Sequence, residues 1–300
     1  MTARTTMPSP DARHPTAGSH WRSYAAYWRL LGSPLRPGAE DVRLYRELLA
    51  EHFRPVHCER SRVLMLGVTP ELAGLDWPSD VEVVATERVA STIGALWPGN
   101  TAHKRAICTD WLRLPFADSR FDLAIGDGCL VAIGARGAQG ELIAAAGRAL
   151  RRGGFLCLRL FCRPEPGESV DAVFASLQQG DIGGFHAFKW RLAMALQGRG
   201  EDVAVADIWR VWHAAEIDRD ELAQGRGWHR AVIDTIDAYR DSPMRYRFAG
   251  YDSLVSEFEA AGFHLLAVRQ GNYELSERCP IVMLRRGDEA IAVPSGAMHP

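Results

Sequence analysis

The chain has 300 residues, 24% charged and 47% hydrophobic, enough apolar material for one large domain or two modest ones and too much for disorder to describe the whole. Its 35 basic and 37 acidic residues leave −2 at pH 7, which excludes the charge surplus that drives non-specific binding to phosphate backbones. Only Lys104 and Lys189 are lysines; the other 33 basic residues are arginines, as a coding bias would produce.

Residues 1–20 are polar and rich in Ser, Thr and Pro, and read as a disordered tail with no apolar core for a signal peptide. A helical lid is expected over 21–56. It starts with an aromatic helix over 21–31 that Gly32-Ser33-Pro34 stops, followed by a helix over 40–54 with Val42, Tyr45, Leu48, Leu49 and Phe53 on one face. From 57 to 163 short apolar runs alternate with helical stretches. Strands are predicted at 63–67, 81–86, 104–108, 123–126 and 155–161, with helices at 88–97 and 140–150. This alternation predicts a doubly wound α/β domain on a parallel sheet.

The alternation breaks over 164–250, where helices are predicted at 170–178, 187–197 and 230–240 and no strand is evident. Residues 164–248 hold 14 acids and 10 bases, so a helical insertion of −4 sits in a remainder of +2, which suits no polyanion. Over 251–288 a helix at 251–261, ended by Gly262, and a hairpin of strands at 264–268 and 281–285 are expected to close a seven-stranded sheet, before a tail at 289–300. No run approaches the ~18 apolar residues of a membrane span. The six cysteines (Cys58, Cys108, Cys129, Cys157, Cys162 and Cys279) form no C-x-x-C pair, and no cluster has metal-ligand spacing. A reduced cytoplasmic setting without a bound metal is expected.

In an open α/β sheet ligands bind beyond the carboxyl ends of the strands. After the first strand come Gly67, where backbone can approach a ligand, and Thr69-Pro70, which can open a helix. The second strand ends in Glu87, 20 residues past Gly67, an offset that suits a carboxylate accepting from both hydroxyls of a ribose. The third ends in Asp110-Trp111, an acceptor for an exocyclic amine beside a flat apolar ring. The fourth ends with Asp127 between Gly126 and Gly128, small neighbours that leave a ligand room to reach the carboxylate.

The order VLMLG, VEVVATE, ICTDWLRLPFADSRFDLAIGDG and LRRGGFLCLRLF resembles the class I S-adenosylmethionine-dependent methyltransferases over 62–162, and more loosely over the final helix and hairpin. The resemblance implies S-adenosylmethionine as cofactor, with Gly67 and Thr69 under its amino-acid moiety, Glu87 on ribose, Asp110 and Trp111 at adenine and Asp127 at the centre of the crevice. It also implies a Rossmann-like sheet carrying a substrate-recognition insertion after the fifth strand. Met65 and Thr69 stand where the family's glycine-rich loop has an acid and a second glycine. The LGVTPEL form looks like that of a bacterial small-molecule subgroup with a W..YW..LG.PLRP..ED segment upstream, which implies Arg36 as a grip on the cofactor's carboxylate.

The fourth strand carries GDGC where enzymes methylating bases or amides show an Asn/Asp-Pro-Pro-aromatic run, so the resemblance implies a small-molecule acceptor from secondary metabolism and no nucleic-acid or membrane partner. Substrate contacts are expected from Tyr24 and Tyr27 of the lid, from His186, Arg191, Tyr246 and Arg247 of the insertion, and from Tyr273 in the hairpin loop. Asp127, Tyr246 and Tyr251 are the candidates nearest the chemistry. A clamp of arginine, tyrosine and carboxylate suits an amino acid. The lack of a His–Asp base pair makes the thioether of methionine, giving S-methylmethionine, one specific candidate, while O- or N-methylation of a secondary metabolite or other amine is the broader expectation. The departures at Met65 and Thr69 admit a non-catalytic cofactor-binding or scaffold protein, and RNA methylation is disfavoured by the charge. Monomer and homodimer are equally compatible with the sequence.

Overall fold

The apolar runs after Pro55 become neighbouring strands of one mixed sheet. The computed structural model of the chain describes residues 28–53, 61–134 and 137–287. The predicted tails lie outside these residues, as do Tyr24 and Tyr27 of the predicted lid. Of the predicted helix at 21–31 only the end is described, a single 3-10 turn at Trp28–Leu30. Helix α1 (Ala39–His52) follows, its first turn closed by the Gly38 amide donating to Asp41 Oδ2 at 2.8 Å, and its buried stripe is Leu44, Tyr45 and Leu48.

The core then runs β1 (Arg62–Leu66), α2 (Pro70–Ala73), β2 (Glu82–Glu87), α3 (Ala90–Leu96), β3 (Lys104–Cys108), β4 (Phe121–Asp127), α4 (Ala138–Ala149) and β5 (Leu150–Arg159). Beyond the insertion come α10 (Tyr251–Ala260), β8 (Phe263–Arg269) and β9 (Ile281–Arg286), with Gly262 in the left-handed region at φ +78° as the helix stop. The sheet order is β3-β2-β1-β4-β5-β9-β8, parallel through β5 and antiparallel at β9 and β8. This is the seven-stranded Rossmann-like sheet with a closing antiparallel pair that the strand pattern predicts. Along β1 the side chains alternate between two buried layers. Val63 and Met65 pack with α1 and α2, while Leu64 and Leu66 pack with α4 and α10. Burial on both faces explains why β1 reads as a continuous apolar run.

The insertion holds α5 (Val170–Gln179), α6 (Phe185–Gln197), α7 (Val205–Ala214), α8 (Arg219–Arg226) and α9 (Arg230–Asp234). The Ser169 hydroxyl accepts from the Ala172 amide (3.1 Å) to start α5, and Gly180 at φ +91° ends it. The predicted helix at 230–240 is α9 continued by a 3-10 stretch, Thr235–Tyr239. A strand pair absent from the sequence reading, β6 (Val203–Ala204) with β7 (Arg245–Tyr246), ties the middle of the insertion to its end, and two residues per strand are too few to show alternation. Trp28, Leu31 and Leu35 share one apolar cluster with Phe185, Phe188, Trp190 and Trp212, so the segment before α1 is packed on the insertion.

Lys189 on α6 is 1% exposed, with Nζ donating to Thr235 Oγ1 at 2.8 Å and lying 5.2 Å from the Tyr239 ring centre. No carboxylate pairs with it among the described residues, and burial pushes its ammonium down to about 7. An unfolded lysine keeps its proton to about 10.5, so above neutrality the unfolded chain binds the extra proton and stability rises with pH. Urea unfolding of the protein and of Lys189→Met should therefore diverge, the parent gaining about 1–2 kcal/mol on the variant between about pH 7 and about pH 8.5. Parallel pH dependences would contradict a buried, discharging amine.

Candidate functional site

Strand order reverses between β1 and β4, and a cleft opens beyond their carboxyl ends, with about 720 Å³ of free space counting the part open to solvent. One wall comes from the strand ends. Gly67 follows β1 at φ +96°, a conformation that favours glycine, and its amide donates to Thr86 O at 2.8 Å. The same carbonyl accepts from Trp111 Nε1 at 2.9 Å, which fixes the indole against the cleft at 7% exposure. Thr69 lines the cleft one residue before α2. Glu87 ends β2 nearly buried, its Oε1 accepting from the Val89 amide at 3.0 Å, and burial pushes its carboxyl up against the pull of the neighbouring amides.

Asp127 ends β4 in the same cleft, and both its oxygens are taken. Arg159, 1% exposed at the end of β5, donates from Nε to Oδ1 (2.5 Å) and from Nη2 to Oδ2 (3.3 Å). Arg159 Nη1 also reaches Asp41 Oδ2 (3.0 Å) and the Tyr273 hydroxyl (3.2 Å), and Tyr273 donates to Asp41 Oδ1 (2.7 Å). Tyr45 bridges the two strand ends, its hydroxyl donating to Gly126 O (2.8 Å) and accepting from the Arg159 amide (2.9 Å). The glycines flanking Asp127 serve this packing and leave no added room for a ligand. A Cβ on Gly126 would sit 3.1–3.2 Å from Cys129, Leu158 and Leu66, and one on Gly128 would be 2.5 Å from the Phe161 ring.

The facing wall is aromatic. Trp28, Val131, Phe161, Trp190 and Tyr246 line it, with Phe161 and Tyr246 each 5.2 Å from Trp190 and near-perpendicular to it. Burial pushes the Tyr246 phenol up to about 12, as it does the Cys129 thiol beside Asp127. Among the described residues lining the cleft, the side chains able to take a proton are the carboxylates of Glu87 and Asp127, both pushed up by burial, and Asp127 is engaged at both oxygens by Arg159.

The expected site residues divide accordingly. Gly67, Thr69, Glu87, Trp111, Asp127 and Tyr246 are brought together in the cleft. Asp110 is exposed beside it, its Oδ1 capping the Leu112 amide at 3.1 Å. Arg36 is held outside the lining, with Nε on Glu71 (2.6 Å), Nη1 on Trp28 O (3.2 Å) and its guanidinium 5.6 Å from the Trp28 ring centre. His186 bonds Leu30 O through Nε2 (2.8 Å), and burial pushes its ring down to about 3, so it serves as a neutral strut under the N-terminal turn. Arg191 is bound to Glu168 (Nε–Oε1 3.0 Å), Arg247 lies 3.8 Å from Glu257, and Tyr251 starts α10 outside the lining. Tyr273 belongs to the Arg159 cluster behind Asp127. These placements disperse the expected arginine–tyrosine clamp, because each guanidinium already has a carboxylate neighbour. The sequence reading missed Arg159, Asp41, Tyr45, Phe161 and Trp190. An arginine inside the apolar run FLCLRLF was the available signal, since a charge there requires buried partners.

No group of three or more His, Cys, Asp or Glu side chains among the described residues is placed to hold a metal ion, and no described helix is long and apolar enough to cross a membrane. No protein-family model matches the sequence, and no curated protein matches it. Solved structures do share the fold. The 1,6-didemethyltoxoflavin-N1-methyltransferase of Burkholderia thailandensis, solved with 1,6-didemethyltoxoflavin and S-adenosylhomocysteine, is 15% identical over 94% of each chain, with a TM-score of 0.50. The CcbJ methyltransferase of Streptomyces caelestis is 15% identical over 91% of this chain and 99% of its own, at 0.51. A Rhodobacter sphaeroides protein with the provisional name of a Zn-dependent alcohol dehydrogenase is 13% identical over 90% and 99%, at 0.58. At such identities the likeness is one of fold.

Replacing Arg159 by Met would strand Asp41 and Asp127 as buried carboxylates. Denaturant unfolding should show a loss of about 3–5 kcal/mol, and a loss below about 1 kcal/mol would contradict the assignment of Arg159 as their partner.

Proposed function

We propose that the chain is an S-adenosylmethionine-dependent methyltransferase acting on a small molecule. The observation that carries the reading is the grouping, at one switch-point cleft, of Gly67, Glu87 and Trp111 with Asp127. The donor set fits the cofactor. Glu87 is a buried carboxylate lining the cleft, suited to a pair of hydroxyls, and Trp111 is a pinned ring lining the same cleft for adenine. Gly67 and Thr69 open the backbone of the β1–α2 turn to the amino-acid end, and Asp127 faces the same space.

Held there by Gly67, Thr69, Glu87 and Trp111, S-adenosylmethionine would supply an electrophilic methyl group on a sulfonium whose departing thioether keeps the C–S electron pair. The chain's contribution is placement and exclusion of water. Trp28, Phe161, Trp190 and Tyr246 line the same cleft with aromatic surface. Asp127 acts as a fixed charge held by Arg159, and Tyr246 keeps its proton at neutral pH, so both position and neither deprotonates. Arg36, locked to Glu71, supports the wall from behind Trp28. A small-molecule acceptor also agrees with the −4 charge of the insertion that forms much of the wall. If S-adenosylhomocysteine bound and no acceptor gained a methyl group, a cofactor-binding protein without turnover would be the better reading.

Titration calorimetry with S-adenosylhomocysteine tests the assignment. Saturable binding is expected, weakened about ten- to a hundred-fold in Glu87→Gln through loss of charge-assisted hydrogen bonds. Because burial raises the Glu87 carboxyl, affinity should fall on acidification at a higher pH than for an ordinary glutamate, and Glu87→Gln should be flat there. Equal affinity in the variant would contradict the ribose role.

A further inference from the structure

The ionic cluster behind the cleft does not balance. Arg159 brings one positive charge, and two carboxylates are bonded to it, Asp127 through Nε at 2.5 Å and Asp41 through Nη1 at 3.0 Å. All three side chains are buried, so solvent screens them little. Asp127 accepts from the guanidinium at both oxygens, which holds it as the carboxylate against the upward push of burial. Tyr45 and Tyr273, the phenols bonded into the cluster, are pushed upward by their own burial and stay neutral. One guanidinium and two carboxylates leave one unit of negative charge at the point where Asp127 meets the cleft.

Nothing nearby cancels that surplus. Among the described residues, the charged side chains that line the cleft are the acids Glu87 and Asp127, and no arginine, lysine or histidine lines it. The basic groups around it are matched or discharged. Arg36 is bonded to Glu71 and Arg247 lies 3.8 Å from Glu257. Arg88, next to Glu87, is exposed to solvent, and burial pushes the protons off His186 and Lys189. The remaining lining, with Leu66, Val131, Phe161 and Trp190, is apolar. A cleft of one sign with low-dielectric walls concentrates the field inside it. Its aromatic rings do not oppose a cation, since their faces attract one.

We propose that the cleft selects its cofactor by charge, the surplus carboxylate of the Asp41–Arg159–Asp127 cluster favouring the cationic, methyl-bearing sulfonium over the neutral thioether that remains after transfer. Asp41 does not line the cleft. It is a positioning residue that acts through Arg159 on the net charge Asp127 presents. The inference rests on the S-adenosylmethionine reading of the cleft and adds a direction to it. Exchange of spent for fresh cofactor is favoured, because loss of the methyl group removes the charge that the cleft attracts.

The test titrates the full chain by calorimetry with S-adenosylhomocysteine, the neutral thioether, and with sinefungin, which carries an amine-bearing carbon in place of the methylated sulfur and is cationic there. Sinefungin should bind about ten-fold more tightly. Asp41→Asn keeps the side chain's shape and removes the surplus charge. It should cut that ratio about five-fold, the order of one unit charge acting over roughly 15 Å inside a protein, by weakening sinefungin and leaving S-adenosylhomocysteine unchanged. Tyr273→Phe removes a hydrogen bond from the same cluster without altering its charge, and should keep the parent's ratio. A parent that holds both ligands equally or prefers S-adenosylhomocysteine, an unchanged ratio in Asp41→Asn, or an equal fall in both variants would overturn the inference. If Asp41→Asn does not fold, the ratio in the parent decides. Failure of both ligands to bind overturns the cofactor assignment, whereas saturable binding of both with equal affinity overturns only the selection by charge.

Discussion

A single buried guanidinium sets the geometry of this molecule. Arg159 leaves the end of β5 into a space without solvent, and every nitrogen of its side chain is bonded: Nε and Nη2 to Asp127, Nη1 to Asp41 and Tyr273. Burying a charge is tolerable only when it is paired and hydrogen-bonded, so these partners cannot move independently. Asp127 brings β4, Asp41 brings α1, and Tyr273 brings the connection between β8 and β9. The strand ends that form the cleft, the helix that packs behind them and the closing strands are thereby referred to one point. Tyr45 adds a second tie between Gly126 and the Arg159 backbone.

The same pairing decides the chemistry available. A carboxylate in the middle of a cleft invites the reading of a general base, but a bidentate arginine withdraws both its oxygens, and the thiol and phenol nearby hold their protons well above neutrality. What remains is a cleft with two unlike walls. The strand-end wall carries a buried carboxylate, a left-handed glycine and a pinned indole, and the insertion and N-terminal segment supply rings. Such a division suits a reaction in which one partner is held by polar groups and the other by shape, with rate coming from orientation.

Much of this was legible in the residues because the sheet obeys simple periodicities. Val63–Met65 and Leu123–Ile125 are apolar on both faces since helices cover both, and Gly67, Glu87 and Trp111 could be placed in the cleft from their positions just after strands. The insertion was harder. Its helices show through their stripes, but β6 and β7 have two residues each, and α6 is buried on most sides, so no single stripe sets Trp190 apart. Charged residues were the least legible, because a one-dimensional pattern does not reveal which partner satisfies them. Arg191, Arg247 and Arg36 each found a carboxylate nearby, His186 became a neutral strut, and Arg159, unnoticed in an apolar strand, proved central. The chain's near-total use of arginine acquires a meaning at that one position, where a planar fork serves two acids and a phenol at once.

The most direct measurement is a crystal structure of the protein grown with S-adenosylhomocysteine. The account predicts the ribose hydroxyls on the Glu87 carboxylate, adenine against Trp111, the sulfur directed toward Phe161 and Trp190, and Asp127 still bidentate to Arg159. A ligand seated away from Glu87, or an Asp127 released from Arg159 to bond the ligand in its place, would contradict it.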